Sequence, residues 1–226
     1  KLKEEGSEVY ESIVQLKFMA KDGKNYATDC FSTEDLLRVI QSIPSPKAEP
    51  FKLWLAKVGY ERIEETEDPE LAINRAMQTY LKKGYSKDWI NQRLKTIEVR
   101  KDLTDEWQER GVKQGLGFAI LTDEITKAWA GKSVKQYKQF KNLRKQNLRD
   151  NMTNLELILN MLAEATTTEI SKKKQPKNLN ENKEVARAGG ETAGKARKDI
   201  ENKTGESVIS SKNDKQLNKP KQDLLQ

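Results

Sequence analysis

Residues 31–59 read FSTEDLLRVIQSIPSPKAEPFKLWLAKVG and predict two helices joined by a proline corner. Ser32 or Thr33 can cap the first helix, because a side-chain oxygen at that place accepts a hydrogen bond from the free amides of the first turn. Pro44 and Pro46 then end this helix, since proline has no amide donor and disfavours helical backbone in the residue before it. A fixed corner between two short helices is therefore expected.

The second helix of this stretch has one apolar side. Its large side chains recur at helical spacing and are Phe51, Trp54, Leu55 and Val58. Gly59 follows them and is the expected end of the helix. We predict that Phe51 and Trp54 are buried between this helix pair and the segment before it, and base stacking by these two aromatic rings is the alternative.

A two-stranded hairpin is predicted before the helix pair. Residues 13–20 alternate between apolar and polar side chains, which is the pattern of a half-buried strand, and residues 25–31 return as the second strand. Asp22 and Gly23 between them suit a tight turn. Because two strands alone are marginally stable in water, we expect the hairpin to pack on the two helices.

Helical signals then continue to residue 174 and weaken beyond it. We predict an α+β fold that is mostly α, with residues 1–62 forming the hairpin and helix pair and residues 63–174 forming a helical domain. Residues 175–226 are polar and basic, and we predict a weakly helical to disordered tail there.

Part of this tail has a weak helical pattern. Residues 181–203 place Ala186, Ala193 and Ile200 at heptad spacing, but Gly189 and Gly190 interrupt them. A glycine inside a helix costs about 1 kcal/mol relative to alanine. We therefore expect a helix in this segment only if it docks on the rest of the chain.

Composition excludes several classes of protein. The 226 residues include no histidine and a single cysteine, Cys30, so an intrachain disulfide and a zinc finger are both excluded. No pairing of a nucleophile with a base is visible, and we predict a non-enzymatic protein without cofactor or metal. No apolar run is long enough to span a bilayer, so we expect a soluble, cytoplasmic protein without a membrane partner.

Positive charge is concentrated in one segment. The chain has a net charge of +7, and no acidic residue lies between Glu124 and Asp150. The candidate nucleic-acid-binding residues of this gap are Lys132, Lys135, Lys138, Lys141, Arg144, Lys145 and Arg149. If the segment were one helix, most of them would share an arc of about 120°, which suits contact with phosphates.

Two other interpretations of the charge stay open. The first is that the segment is an ordinary solvated, lysine-rich face without a ligand. The second is a competing basic patch near the helix pair, formed by Lys24, Arg38, Lys47, Lys52 and Lys57. The sequence does not decide between these surfaces.

The helix-pair residues resemble a known family. The segment LLRVI at residues 36–40, followed by Ser42, Pro46, Glu49 and Trp54, with Ala48 and Phe51 also matching, resembles the closing half of the BRO N-terminal domain of baculovirus repeated-ORF proteins and phage antirepressors. The hairpin and the stretch NLRDNMTNLEL at residues 147–157 resemble the damage-inducible protein D branch of that family. The resemblance implies that the chain begins partway through the BRO unit.

The resemblance implies a regulator of DNA from a prophage or mobile element. Our first hypothesis is a non-enzymatic, antirepressor-like protein that binds DNA and acts in transcription regulation or the DNA damage response. The alternative is a protein-interaction regulator of a repressor or of a repair or recombination protein. A metal-dependent nuclease built from clustered carboxylates is a third hypothesis, and the formation of a homo-oligomer stays open.

Overall fold

The computed structural model describes residues 13–217, which fall into two compact units divided after Arg75. The predicted α+β, mostly α fold is confirmed, because a single hairpin precedes a long series of helices. The predicted boundary after residue 62 is too early. The helix that contains it continues to Glu67, and Glu65 near its end is bonded to Arg75, so these residues belong to one unit.

The hairpin of the first unit has the predicted form. Strands β1 (Val14–Met19) and β2 (Asn25–Cys30) are antiparallel, with Val14 opposite Cys30 and Met19 opposite Asn25. Gly23 supplies the positive φ of 78° that the tight turn requires. Val14, Leu16 and Phe18, on the apolar side of β1, keep about half of their surface exposed, which is less burial than the alternating pattern predicts.

The helix pair confirms the predicted cap and corner but not the predicted burial. Helix α1 (Thr33–Ser42) begins at the Ser32 cap, whose hydroxyl accepts from the Asp35 amide, and it ends before Pro44. Helix α2 (Glu49–Glu67) passes through Gly59, which has no positive φ, so the predicted stop there is wrong. Trp54 is 52% exposed and touches Phe51 at a ring distance of 5.3 Å, so a buried tryptophan is also wrong for the described residues.

A carboxylate holds the corner between α2 and the next helix, α3 (Pro69–Lys82). Glu65 accepts hydrogen bonds from Arg75, with Nη2 at 2.9 Å, and from Arg62 Nη1 at 2.8 Å. These bonds, first of all those from Arg75, lower the pKa of Glu65 from 4.5 to about 2. The folded pKa lies below the unfolded one, so the stability contributed by Glu65 is present above about pH 4.5 and is lost as the pH falls towards 2.

Replacing Arg75 with glutamine should raise the pKa of Glu65 towards 4.5, because the strongest hydrogen bonds to its charged form are lost. The measurement is the NMR chemical shift of the Glu65 side-chain carboxyl carbon, followed from about pH 1.5 to about pH 7 in steps of about half a pH unit. Lys57→Gln is the control, since that lysine pairs with Glu61 at 3.7 Å and not with Glu65. An unchanged Glu65 titration in Arg75→Gln would show that this corner is not held by the ion pair.

The second unit contains the remaining helices and the described core. Its elements after α3 are α4 (Lys87–Glu109), α5 (Leu116–Ala130), α6 (Val134–Phe140), α7 (Asn154–Lys174), α8 (Leu179–Thr204) and α9 (Asp214–Leu217). Helices α4, α5, α7 and α8 pack on one another, with α7 against both α4 and α8. Trp89, Trp107 and Trp129 are fully buried between them. These aromatic side chains supply the largest apolar areas of the core.

The prediction of a weakly helical to disordered tail is wrong for residues 175–217. Helix α8 is docked against α5 and α7 and buries Val185, Ala186 and Ala193 in the core. A helix was expected here only if it docked on the rest of the chain, and it does. After it, Val208 and Ile209 are also buried in the core cluster. Residues 218–226 of the predicted tail, like residues 1–12, lie outside the described part of the chain.

Helix α7 buries a polar side. Leu157, Leu159 and Ala163 are buried as an apolar face should be, but so are Glu156 and Glu164. Three other apolar side chains of α7 stay 38–39% exposed, namely Leu155, Ile158 and Leu162. Buried carboxylates require charged or hydrogen-bonding partners. Two of these partners, Lys141 and Arg149, come from the basic segment that was predicted to bind DNA.

Candidate nucleic-acid interface

A concave groove of about 1000 Å³ lies between α5, α6 and the loop after α6, with α4 contributing at its base. We call it the basic groove. Its lining includes five cationic side chains, Arg100, Lys127, Lys135, Lys138 and Arg144. The lining also contains one carboxylate, that of Asp123, which pairs with Lys127 at 2.8 Å. Positive charge therefore dominates the groove.

A short corner positions the two cationic walls. Helix α5 ends at Gly131, whose positive φ of 70° suits a glycine. Helix α6 then begins at Ser133, which exchanges hydrogen bonds with Gln136 in a capping box. The Val134 amide also donates to Asp123 Oδ1 of α5 at 2.7 Å, so the start of α6 is tied to α5. This tie holds α6 beside α5, and Lys135 and Lys138 of α6 line the same groove as Lys127.

Apolar side chains lie between the cations of the groove. Phe118, Val134 and Leu143 are half-buried and contribute to the lining. Phe118 packs against Trp107 of the core with ring centroids 5.4 Å apart, which fixes its position. A surface that combines fixed apolar side chains with cations suits a ligand that has both anionic and flat apolar parts.

The condition for a shared arc, one continuous helix from Lys135 to Arg149, is not met. Helix α6 ends at Phe140, and Asn142 adopts a left-handed φ of 54°, which an asparagine tolerates. The chain then runs as turns to a short 3₁₀ segment at Arg149–Asn151. The seven candidate residues are therefore not one stripe.

Lys141 is not available to a ligand. Its side chain is buried, with Nζ 2.8 Å from Glu156 Oε2 and 3.0 Å from the Lys212 carbonyl oxygen, to which it donates. Burial lowers the pKa of Lys141, and the adjacent Glu156 opposes this shift. Lys141 is a structural residue, and the sequence interpretation of it as a DNA contact is corrected.

Arg149 is also paired inside the fold. One of its terminal nitrogens, Nη2, donates to Glu164 Oε1 of α7. Lys132 is half-buried with Nζ 4.8 Å above the Phe140 ring. The remaining candidates are Lys135, Arg144 and Lys145, which are exposed, and Lys138, which is half-buried. The structure brings Lys135, Lys138 and Arg144 together in the basic groove.

Sequence analysis missed one residue at the base of the groove. Arg100 comes from α4 and donates from Nη2 to Thr122 Oγ1 at 2.7 Å and from Nη1 to Glu164 Oε1 at 3.4 Å. Burial lowers the pKa of Arg100 to about 10, with the nearby Arg149 acting in the same direction and Glu164 against it. No local pattern marked Arg100, because its partners are far away in the sequence.

The competing patch lies in the first unit. Lys24, Arg38, Lys47 and Lys57 are exposed there, and Lys52 is half-buried. They are spread over the hairpin, α1, the corner and α2, and Lys57 is already paired with Glu61 at 3.7 Å. The basic groove combines more cations in one concave surface and is the stronger candidate site.

The described part of the chain has neither a clustered metal site nor a membrane-spanning helix. Residues 13–217 contain no group of three or more cysteine, aspartate or glutamate side chains arranged to hold a metal ion. In the same range no helix is long and apolar enough to cross a membrane.

The sequence matches no protein-family model and no curated protein. The assignment of a function therefore depends on the chemistry of the basic groove. Its cations and apolar side chains fit a polyanion that also exposes flat apolar groups.

Proposed function

We propose that the chain is a non-enzymatic regulatory protein that binds DNA through the basic groove, in the manner of the antirepressor-like proteins that its helix pair resembles. One observation supports this most: five cations and one carboxylate line a single concave surface. Each phosphate that Lys135, Lys138 or Arg144 neutralises would release counterions and strengthen binding at low salt.

The apolar lining favours a single strand over a duplex. In a duplex the bases are stacked inside and the phosphates face outward, so Phe118, Val134 and Leu143 would have no base surface to contact. A single strand exposes its bases, and apolar and aromatic side chains can pack on them while cations follow the backbone. We therefore expect tighter binding of single-stranded DNA than of duplex DNA of the same sequence.

The double variant Lys135→Ala/Arg144→Ala tests the groove. Both side chains are exposed, so the fold should tolerate their loss. In titrations of labelled single-stranded DNA at several salt concentrations, the slope of log affinity against log salt should become shallower by about 1.4, since each lost phosphate contact removes about 0.7. Affinity at low salt should fall roughly tenfold or more.

The matched control is Lys195→Ala/Lys198→Ala, which removes the same charge from exposed positions of α8. Its salt slope should stay close to that of the unchanged chain. If both double variants lose the same affinity and slope, binding follows net charge and not the groove. If neither single-stranded nor duplex DNA binds at low salt, DNA binding is rejected.

The second candidate function is regulation of a protein partner, such as a repressor or a recombination protein. The exposed stripe of Leu155, Ile158 and Leu162 on α7 favours it, because these positions form one apolar face at helical spacing. If the chain binds no DNA at low salt, regulation of a protein partner is the candidate function that remains. Cleavage of DNA in the same titrations on addition of a divalent metal would instead support the nuclease hypothesis.

A further inference from the structure

A second, smaller cavity of about 370 Å³ adjoins the basic groove, and we call it the inner pocket. The two share Thr122, Val134 and Lys138 in their linings, so Lys138 lies where they meet. The other polar residues that matter here are Lys145, Asn147, Arg149 and Asn160. None of the ten residues that line the inner pocket is a carboxylate.

Two buried donors of the inner pocket have no partner within the described residues. They are Nε of Arg149 and Nδ2 of Asn160, and Asn160 is only 2% exposed. Buried nitrogens of this kind nearly always donate to a protein atom or to a bound molecule, because leaving them unpaired costs about 1–3 kcal/mol each. Both residues belong to the lining of the inner pocket.

The charge beside the inner pocket is incompletely balanced. Arg149 and Arg100 both donate to Oε1 of Glu164, so two guanidinium groups share one buried carboxylate. The other oxygen, Oε2, accepts no hydrogen bond from the described residues, and Glu164 does not line the pocket. Lys138 and Lys145 add positive charge on the pocket side. An anion in the pocket would compensate this excess.

We propose that the inner pocket binds the terminal phosphate monoester of a DNA strand held in the basic groove, an inference that rests on the DNA-binding function proposed above. A monoester suits the site better than an internal diester, because it carries about −1.5 to −2 charge at pH 7 and presents three acceptor oxygens. Arg149 Nε and Asn160 Nδ2 donate to these oxygens at the buried end of the pocket. Lys138 and Lys145 compensate the remaining charge.

The test compares three internally labelled single strands of one sequence, with a 5′-phosphate, a 3′-phosphate or hydroxyl groups at both ends. Fluorescence anisotropy gives the affinity of each strand at one fixed salt concentration. One or both phosphorylated strands should bind about tenfold more tightly than the hydroxyl-ended strand, the gain expected from charge-assisted hydrogen bonds. The preferred strand identifies which end enters the pocket, and millimolar inorganic phosphate should reduce the preference.

Two variants locate the preference in the inner pocket. Asn160→Leu removes the buried donor while keeping a side chain of similar size, and Lys145→Gln removes an exposed charge at a position where folding should not be affected. In each variant the ratio of phosphorylated to hydroxyl-ended affinity should fall towards one. Far-UV circular dichroism and melting temperature check the fold, and Lys195→Gln on α8 is the charge-matched control whose ratio should stay near tenfold.

The outcomes separate this inference from the proposed function. If all three strands bind equally and with a strong salt dependence, the inner pocket does not hold a terminal phosphate, while DNA binding by the groove stands. If the phosphate preference persists unchanged in both Asn160→Leu and Lys145→Gln, the preference arises elsewhere and the inference is overturned. If no strand binds at low salt, the inference and the proposed function are both rejected.

Discussion

Replacing Gly190 with alanine is expected to lower the free energy of unfolding of the second unit by about 3 kcal/mol, the upper part of the range for overpacking. A Cβ atom on Gly190 would lie 2.6 Å from Cβ of Ala128 and 2.7 Å from the carbonyl oxygen of Ile125. The carbonyl oxygen of Ile125 belongs to the backbone of α5, so it cannot rotate away as the end of a flexible side chain could. Helix α8 would have to move away from α5, and the core between them would open.

The expected change in melting temperature is about 6–12 °C for a unit of this size. Far-UV circular dichroism during heating measures it, since most of the unit is helical. Gly59→Ala is the matched control, because Gly59 also lies inside a helix but a Cβ there would have nothing within 4 Å. That change should raise stability by up to about 1 kcal/mol through helix propensity. A Gly190→Ala chain that melts as high as the unchanged chain would show that α8 does not approach α5 this closely.

The docking of α8 explains why its glycines misled the interpretation of the sequence. Helix propensity counts each glycine against the helix, so Gly189 and Gly190 predicted a weak one. In the fold, Gly189 lies against Thr167 of α7, and Gly190 lies against α5. A Cβ atom added to Gly194 would lie 2.6 Å from the carbonyl oxygen of Ala128 in α5. The residues that weaken the isolated helix are the ones that let it pack between two neighbours. Propensity is a local quantity and does not contain that information.

The hydrogen bonds that cap the helices, in contrast, depend only on residues that are close together in the sequence. Ser32 caps a helix as expected, and Ser133 and Thr153 form complete capping boxes on two others. A cap needs only an oxygen at the right residue and an amide two or three residues later, so the sequence contains all of its parts. The end of α1 before Pro44 was predictable in the same way, because proline restricts the backbone of the residue directly before it.

The candidate site was predictable only in part. Lys135, Lys138 and Arg144 are near one another in sequence and meet in the basic groove. Lys141 occurs at the same spacing but faces a buried glutamate, and Arg100 enters the groove from another helix. Charge patterning identifies a basic segment, but it does not show which cations are neutralised after folding. That depends on carboxylates of α7 whose burial no periodic pattern predicted.

One of these carboxylates, Glu156, joins three parts of the second unit. Its Oε1 accepts from the Tyr137 hydroxyl of α6 at 2.7 Å and from the Ser210 amide at 2.9 Å. Its Oε2 accepts from the Thr153 amide at 2.7 Å and pairs with Lys141 at 2.8 Å. All four of these partners are donors, so both oxygens act as acceptors. Glu156 thereby ties the segment after α8 to α6 and α7.

Replacing Glu156 with glutamine should therefore destabilise the second unit by about 3–5 kcal/mol, the cost of removing one partner from a buried ion pair. The amide group of glutamine would bring two N–H donors to face donors from Tyr137, Ser210 or Lys141, and the Lys141 ammonium would lose its counter-charge. The melting temperature should fall by about 6–20 °C. Adding Lys141→Met to this variant should restore part of the loss, because the unpaired buried charge is then also removed.

Glu169→Gln on the same helix is the matched control for this substitution. Glu169 is exposed and pairs with Lys172 at 3.9 Å on the surface, where an ion pair contributes at most about 1 kcal/mol. Thermal melts of Glu156→Gln, Glu169→Gln and the Lys141→Met/Glu156→Gln double variant complete the comparison. Equal stability of the two glutamine variants would mean that Glu156 is solvated in solution, and it would return Lys141 to the set of cations that a DNA strand can reach.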